Sequence, residues 1–296
     1  MTKFSDFDIY LLFSVNGIGN RKINRILKSE NQCFKAVLDI IDFTPDEIDE
    51  YLPGLYKSDI AALKALDIAS VKCEYDALIE SETDIITLSS RYCPIGIQDI
   101  LNEDAPPILF CYGNLENMLK PGVAIVGTRF PSQDGTILAR SIVEGLNDKN
   151  ISIISGGAKG IDRTSHASAI DMGLSTTLIA PFGINHFLKS GTLDFPEDKA
   201  LVVSQFHPNS VWRSAFAMIR NKLICALSKG VIVVEAGEKG GSVNAGMTAL
   251  ELNIPLYVVS PNEFKIPPPG NRYLISKGGR ELFVNSELDK LKETIK

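Results

Sequence analysis

The chain has 296 residues, 45% of them apolar and 22% charged, with a net charge of −6; there is room for two domains and a real core, which excludes a disordered polypeptide. Its five cysteines, at positions 33, 73, 93, 111 and 225, show no C-x-x-C pair, and with three histidines they form no zinc pattern, so a reduced, cytoplasmic protein without metal or organic cofactor is expected. The opening MTKFSDFDIY is not a basic start followed by an apolar core, and no apolar run approaches a membrane span, so neither export nor membrane anchoring is expected.

Residues 1–83 read as a small helical domain. Positions 7–13 are mostly apolar and lead into SVNGIGNRKINRIL, where Gly17 and Gly19 make a tight turn before a helix carrying Ile23, Ile26 and Leu27 on one face. This is a helix-hairpin-helix (SAM-like) pattern, in which the turn's N–H groups and a following base, Arg21 or Lys22, hold a nucleic-acid phosphate without reading sequence. The alternative is a glycine turn that only packs two helices, and the acidic surroundings keep it open. Residues 1–105 hold 10 Lys/Arg against 19 Asp/Glu, a net −9, whereas residues 106–296 hold 20 against 17, a net +3. A basic site on the second part is therefore electrostatically sensible despite the acidic total. In FTPDEIDEYL, Thr44 is expected as N-cap, Pro45 at the first helical position and Glu47 closing a capping box. LPGLYKSDIAALKAL at 52–66 is a weaker echo of the first hairpin.

Residues 84–120 break into short apolar pieces interrupted by Pro94, Pro106 and Pro107, as a connector with one or two short strands does. From 121 to 296 strands and helices alternate. Strands are expected at 123–126, 151–154, 176–180, 201–204, 231–235 and 255–259, and helices at about 135–148, 161–172, 214–228 and 242–252. This is the pattern of an α/β domain with an extended, Rossmann-like, doubly wound parallel sheet.

Two of these strands end in glycine loops. VAIVGTR brings Gly127, Thr128 and Arg129 to one strand end; SGGAKGID brings Ser155, Gly156, Gly157, Lys159 and Gly160 to the next, with Arg163 just beyond. Glycine loops at carboxyl ends of parallel strands, ahead of helix N-termini, favour a bound phosphate. Neither loop is G-x-G-x-x-G or a Walker lysine loop, and the second strand ends in Ser155 where a nicotinamide-dinucleotide site is expected to place an acidic residue for the ribose, so an ordinary dehydrogenase is not expected. Asp162 is expected to cap its helix, and His166, four residues on, to be a buried partner of that carboxylate. Further on, Arg213, Phe216, Arg220, Asn221 and Lys222 gather cations and an aromatic, which suits stacked bases and a tracked backbone. Glu235 ends a strand at the same edge as a structural polar group, and Gly240, Gly241 and Ser242 form a third loop, with Ser242 expected as N-cap.

VAIVGTR, SGGAKGIDRTSH, the IRNKLICALSKGVIVVEAGEKGGS block and NRYLISKGG together resemble the DprA/Smf family of DNA-processing proteins, in order and spacing from about Tyr92 to Gly279. The resemblance implies a Rossmann-like domain that binds single-stranded DNA, dimerises and assists the RecA recombinase in transformation or recombination, without catalysis. It carries DNA contacts onto Arg129, Lys159, Arg220 and Asn221. The chain departs from the family pattern in four places: Lys222 stands where an arginine is common, Gln205 where glutamate is frequent, Gly240 where serine is frequent, and Phe216 lies one residue early in F-A-M-I-R-N. The winged-helix tail that many members carry, and partner contacts made through it, are not expected here. On this reading Arg129→Ala and Arg220→Ala are each expected to weaken single-strand binding while leaving the fold intact.

A second reading, from another class, is a nucleotide sensor or a nucleotide N-glycosidase. Cleavage requires a positioned acid or base, and Glu235 with Arg220 is the only pairing the sequence offers; a sensor needs neither.

Overall fold

Strands buried on both faces read as continuous apolar runs, and the computed structural model turns each such run of the second half into a strand. It describes residues 4–29, 37–148, 150–190, 196 and 198–295; Cys33 lies outside them. The chain divides into two units, Met1–Cys111 with Gln205–His207 and Tyr112–Ser204 with Pro208–Lys296.

The first unit is largely helical: α1 (Asp6–Ser14), α2 (Asn20–Lys28), α3 (Val37–Ile40), α4 (Pro45–Tyr51), α5 (Lys57–Lys64), α6 (Ile68–Glu80), then β1 (Asp84–Thr87), α7 (Ile97–Leu101) and β2 (Ile108–Gly113), with β1 and β2 antiparallel. Its core is aliphatic, with Ile9, Leu12, Ile23, Ile26, Ile48 and Leu63 essentially excluded from water. The Thr44–Pro45–Glu47 start forms as expected: Thr44 Oγ1 accepts from Glu47 N–H, and Glu47 accepts from Thr44 N–H. Ser5 and Asp8 make a second capping box that starts α1.

The second unit runs β3 (Gly122–Val126), α8 (Gln133–Gly145), β4 (Ser152–Ser155), α9 (Ile161–Asp171), β5 (Ser175–Ile179), α10 (Ile184–Ser190), β6 (Ala200–Ser204), α11 (Ser214–Ala226), β7 (Ser228–Val233), α12 (Gly241–Glu251), β8 (Leu256–Val259), α13 (Pro269–Ser276), β9 (Arg280–Leu282) and α14 (Val284–Ile295). Its strands stand in the order β6-β5-β4-β3-β7-β8-β9, every neighbouring pair parallel. Alternate residues point to opposite faces. Val123, Ile125, Ile153, Ile232 and Val234 share one apolar cluster with Leu138, Ile142 and Ile161 of α8 and α9, while α11 packs on α12 and α12 on α13. The doubly wound α/β fold is thus as the alternation implied. α10, α13, β9 and α14 are elements beyond those read from the sequence.

Candidate nucleic-acid interface

β3 has β4 on one side and β7 on the other. The chain moves away from β3 through β4, β5 and β6 and returns at β7, so the crevice outside the carboxyl ends of β3 and β7 is the sheet's topological switch point, where open α/β sheets place their ligands. A cleft of about 420 Å³ lies there, lined by Val126–Phe130 after β3, by Arg220 and Asn221 of α11, and by Gly237 and Lys239–Ser242 ahead of α12.

The loop after β3 is held from both sides. Thr128 N–H donates to the carbonyl of Glu235 at 2.7 Å, and Thr128's own carbonyl accepts from Ile161 N–H at 3.2 Å. The Glu235 carboxylate accepts from both the N–H and the hydroxyl of Ser132, each at 2.9 Å. Gly135 leaves the space for this: a Cβ there would lie 2.0 Å from Glu235 Oε2. Gly160 is required on two counts, since its φ is +83° and a Cβ would meet the Thr128 carbonyl at 2.3 Å. Glu235 is therefore a structural polar group, engaged by Ser132 and not by Arg220 as the cleavage reading required.

Two buried groups of opposite charge, Arg220 and Asp162, lie at the cleft floor. Arg220 is only 6% exposed; its Nη1 donates to the Ile179 carbonyl at 2.8 Å, and its Nε has no hydrogen-bond partner among the described residues. Gly156 makes room for it, because a Cβ there would sit 1.9 Å from Nη1. Burial lowers the Arg220 pKa to about 10, against the pull of the nearby Asp162 charge. Burial likewise raises the Asp162 carboxyl, opposed by the Arg220 charge and by the N–H groups of Ala158 and Gly127. The Asp162 carboxylate accepts from Ala158 N–H at 3.3 Å, so it ties the glycine loop to α9 from within the helix's first turn; the N-cap itself is Gly160.

Three sequence-based expectations change here. His166 is buried, but its Nδ1 lies 2.7 Å from Thr176 Oγ1, while Asp162 turns back to its own loop. The Thr176 hydroxyl donates its single hydrogen to the Ile153 carbonyl, so His166 is the donor in this bond and carries its proton on Nδ1. Burial, and secondarily the Arg220 charge, lower its pKa to about 3, which makes it a neutral structural histidine. Ser242 is not the N-cap: α12 starts at Gly241, capped by Gly240 at φ +127° with no side-chain hydrogen bond, because the chain enters this helix through a conformation that L side chains rarely adopt. For Arg220, finally, burial and its bond to the Ile179 carbonyl change the expectation: Arg220→Ala is expected to cost stability as well as binding.

The structure brings Gly127, Thr128, Arg129, Asp162, Arg220, Asn221, Gly240, Gly241 and Ser242 to the cleft wall. Asn221 there donates to Gly241 O at 3.2 Å and Asn244 Oδ1 at 2.8 Å, fixing the start of α12. Ser155 is fully buried and donates to the Ile125 carbonyl at 2.6 Å. Lys159 and Lys222 are exposed and lie off the lining, as do Gly156, Gly157, Gly160 and Arg213. In the first unit, Arg21 pairs with Asp104 at 2.8 Å, and Lys22 pairs with Asp59 at 2.6 Å while donating to Gly17 O. The hairpin's cations are thus matched by carboxylates of their own unit. Phe130, Trp212, Met218 and Lys239 line the cleft although nothing in the motif spacing singles them out; the one available signal is a lone tryptophan beside Arg213 in VWRS.

Fold and cleft together define a Rossmann-like α/β protein with glycine loops gathered at the sheet's switch point. The family model described as DNA recombination-mediator protein A matches residues 84–294, and the chain belongs to that family. It is 31% identical over 193 residues to the DNA processing protein DprA of Streptococcus pneumoniae, covering 64% of this chain and 67% of that one. The X-ray structure of that protein superposes with a TM-score of 0.70 at 24% identity over 97% of this chain and 98% of the other. The Helicobacter pylori DNA processing protein A, solved to describe its single-stranded DNA binding mode, matches with a TM-score of 0.58 and 26% identity over 71% of this chain and 96% of that one.

Proposed function

We propose that this protein binds single-stranded DNA in the switch-point cleft and acts as a non-catalytic recombination mediator, protecting the strand and passing it to a RecA-type recombinase, as a homodimer. The observation that carries the binding step is the convergence, at one sheet edge, of two glycine loops, the cations Arg129, Arg220 and Lys239, and exposed aromatic residues. The helix N-termini of α11 and α12 also open without side-chain caps, which leaves their N–H groups available to a phosphate. Membership of the recombination-mediator family and the single-strand binding of the Helicobacter pylori relative support the ligand. No helix among the described residues is long and apolar enough to cross a membrane. The engagement of Glu235 by Ser132, and of Asp162 by its own loop, favours binding over glycosidic cleavage, which needs a carboxyl group available to the substrate.

The test is the affinity of a labelled single-stranded oligonucleotide across a series of salt concentrations. A strand held by its phosphates loses affinity linearly in log–log form, about 0.7 in slope for each phosphate neutralised. Arg129 is exposed, so Arg129→Ala is expected to fold normally, bind about 10-fold more weakly at moderate salt and lower the slope by about 0.7. A salt-independent affinity, or one that Arg129→Ala leaves unchanged, would refute a backbone-tracking cleft.

A further inference from the structure

The glycine loops and cations of the cleft suit a phosphate, but its rim holds aromatic surface that a phosphate does not need. Trp212, the chain's single tryptophan, lines the cleft and is 47% exposed, and Phe130 of the same lining is 88% exposed. Large rings left in water forgo the burial that folding ordinarily gives them, and grouped exposed apolar surface marks a place where something binds. The Arg129 guanidinium carbon stands 5.9 Å from the Trp212 ring centroid, within reach of a cation–π contact. Phe216, the aromatic first indicated by spacing, is half-buried, lies under Arg213 at 5.5 Å and is off the cleft wall.

We infer that Trp212 is the base-stacking platform of the cleft: an unpaired base lies on the indole while its backbone phosphate is held beside it by Arg129. This rests on the single-strand reading above and adds the residue that distinguishes a single strand from a duplex. A base must leave its partner to lie on a ring, and every base has a π-face, so the contact selects unpaired DNA without reading sequence.

Having one tryptophan makes the test direct. Titration with a single-stranded oligothymidylate is expected to change indole emission in step with the anisotropy of the same labelled strand. Trp212→Ala, at an exposed position, is expected to weaken binding by about 5- to 100-fold with an unchanged salt slope, and Trp212→Phe to recover most of the loss. A strand of equal length lacking bases is expected to bind the wild type more weakly by a similar factor, with Trp212→Ala causing little further loss on that strand, as two changes to one contact do. Wild-type affinity in Trp212→Ala, or unaltered emission at saturation, would overturn the platform while leaving the DNA reading in place. Failure of the wild type to bind the strand would overturn both.

Discussion

Arg220→Ala is expected to lower unfolding free energy by about 1–3 kcal/mol, because it leaves the buried Ile179 carbonyl without its donor and the buried Asp162 carboxylate without a nearby positive charge. Arg220 and Asp162 are each only 6% exposed, so water does not take over the missing partner's role. The deficit should depend on pH, with a sign that follows from the pair. Asp162 already titrates above its ordinary carboxyl value because of burial, and Arg220 is what pulls it down; without Arg220 it rises further. A carboxyl group whose folded pKa exceeds its unfolded one stabilises fully below the unfolded value, about 3.9, and loses that contribution as pH rises through the folded value. Releasing His166 from the neighbouring positive charge acts in the same direction at acid pH. The deficit of Arg220→Ala measured by urea unfolding should therefore be largest near neutrality and shrink as pH falls toward 4. A loss below 1 kcal/mol, or one that is equal at pH 5 and pH 8, would show that the floor of the cleft does not depend on this pair.

His166 predicts the wild-type acid limb. Unfolded, it titrates near 6.5; folded, burial holds its pKa at about 3. Below 6.5 the unfolded chain takes up a proton that the native one refuses, so the contribution is complete above the unfolded value and is lost as pH falls toward 3, on the order of 5 kcal/mol in all. Asp162 works in the opposite sense at the bottom of this window, since its raised carboxyl gains relative stability as pH approaches 4. His166→Gln, which keeps a hydrogen-bond donor and removes the titration, is expected to flatten the limb between pH 6.5 and 4 in a series of denaturation curves. In the native protein the His166 ring resonances should not move over that range. A native-state titration near pH 6.5 would contradict its buried place on α9 against Thr176.

Much of the second unit was legible because parallel strands covered on both faces leave a clear trace: VAIV and VIVV are apolar throughout, and ISII is apolar but for Ser152. The elements that escaped lack that trace. β9 is three residues long, two of them exposed, and the seven-residue α10 is too short to establish a period. α14 is a different case, since Val284, Leu288 and Leu291 fall at helical spacing and a reading by periodicity had the means to find it. At the cleft, glycine loops reveal where backbones approach closely, so Gly127 and Gly240 were accessible to motif reasoning. The side chains were less so. Lys159 and Lys222 carry the right charge in the right motifs yet are exposed and lie off the lining, because helix and loop register decide which cation of a motif faces inward. Arg220 looks like a surface contact in the string R-N-K and proves to be part of the floor. Trp212 precedes α11 by two residues and reaches the rim only through the path of that loop.

The most direct test of the central claim is competition. A labelled single-stranded oligonucleotide bound to the wild-type protein is challenged with unlabelled single strand, with duplex of the same sequence, and with mononucleotide. If the switch-point cleft holds an unpaired nucleotide of a longer strand, the unlabelled strand displaces the label at equal concentration, while duplex and mononucleotide require a large excess, because neither offers an unpaired base on a continuous phosphate backbone. Displacement by mononucleotide as readily as by the strand would contradict the account and make the cleft that of a small-nucleotide sensor.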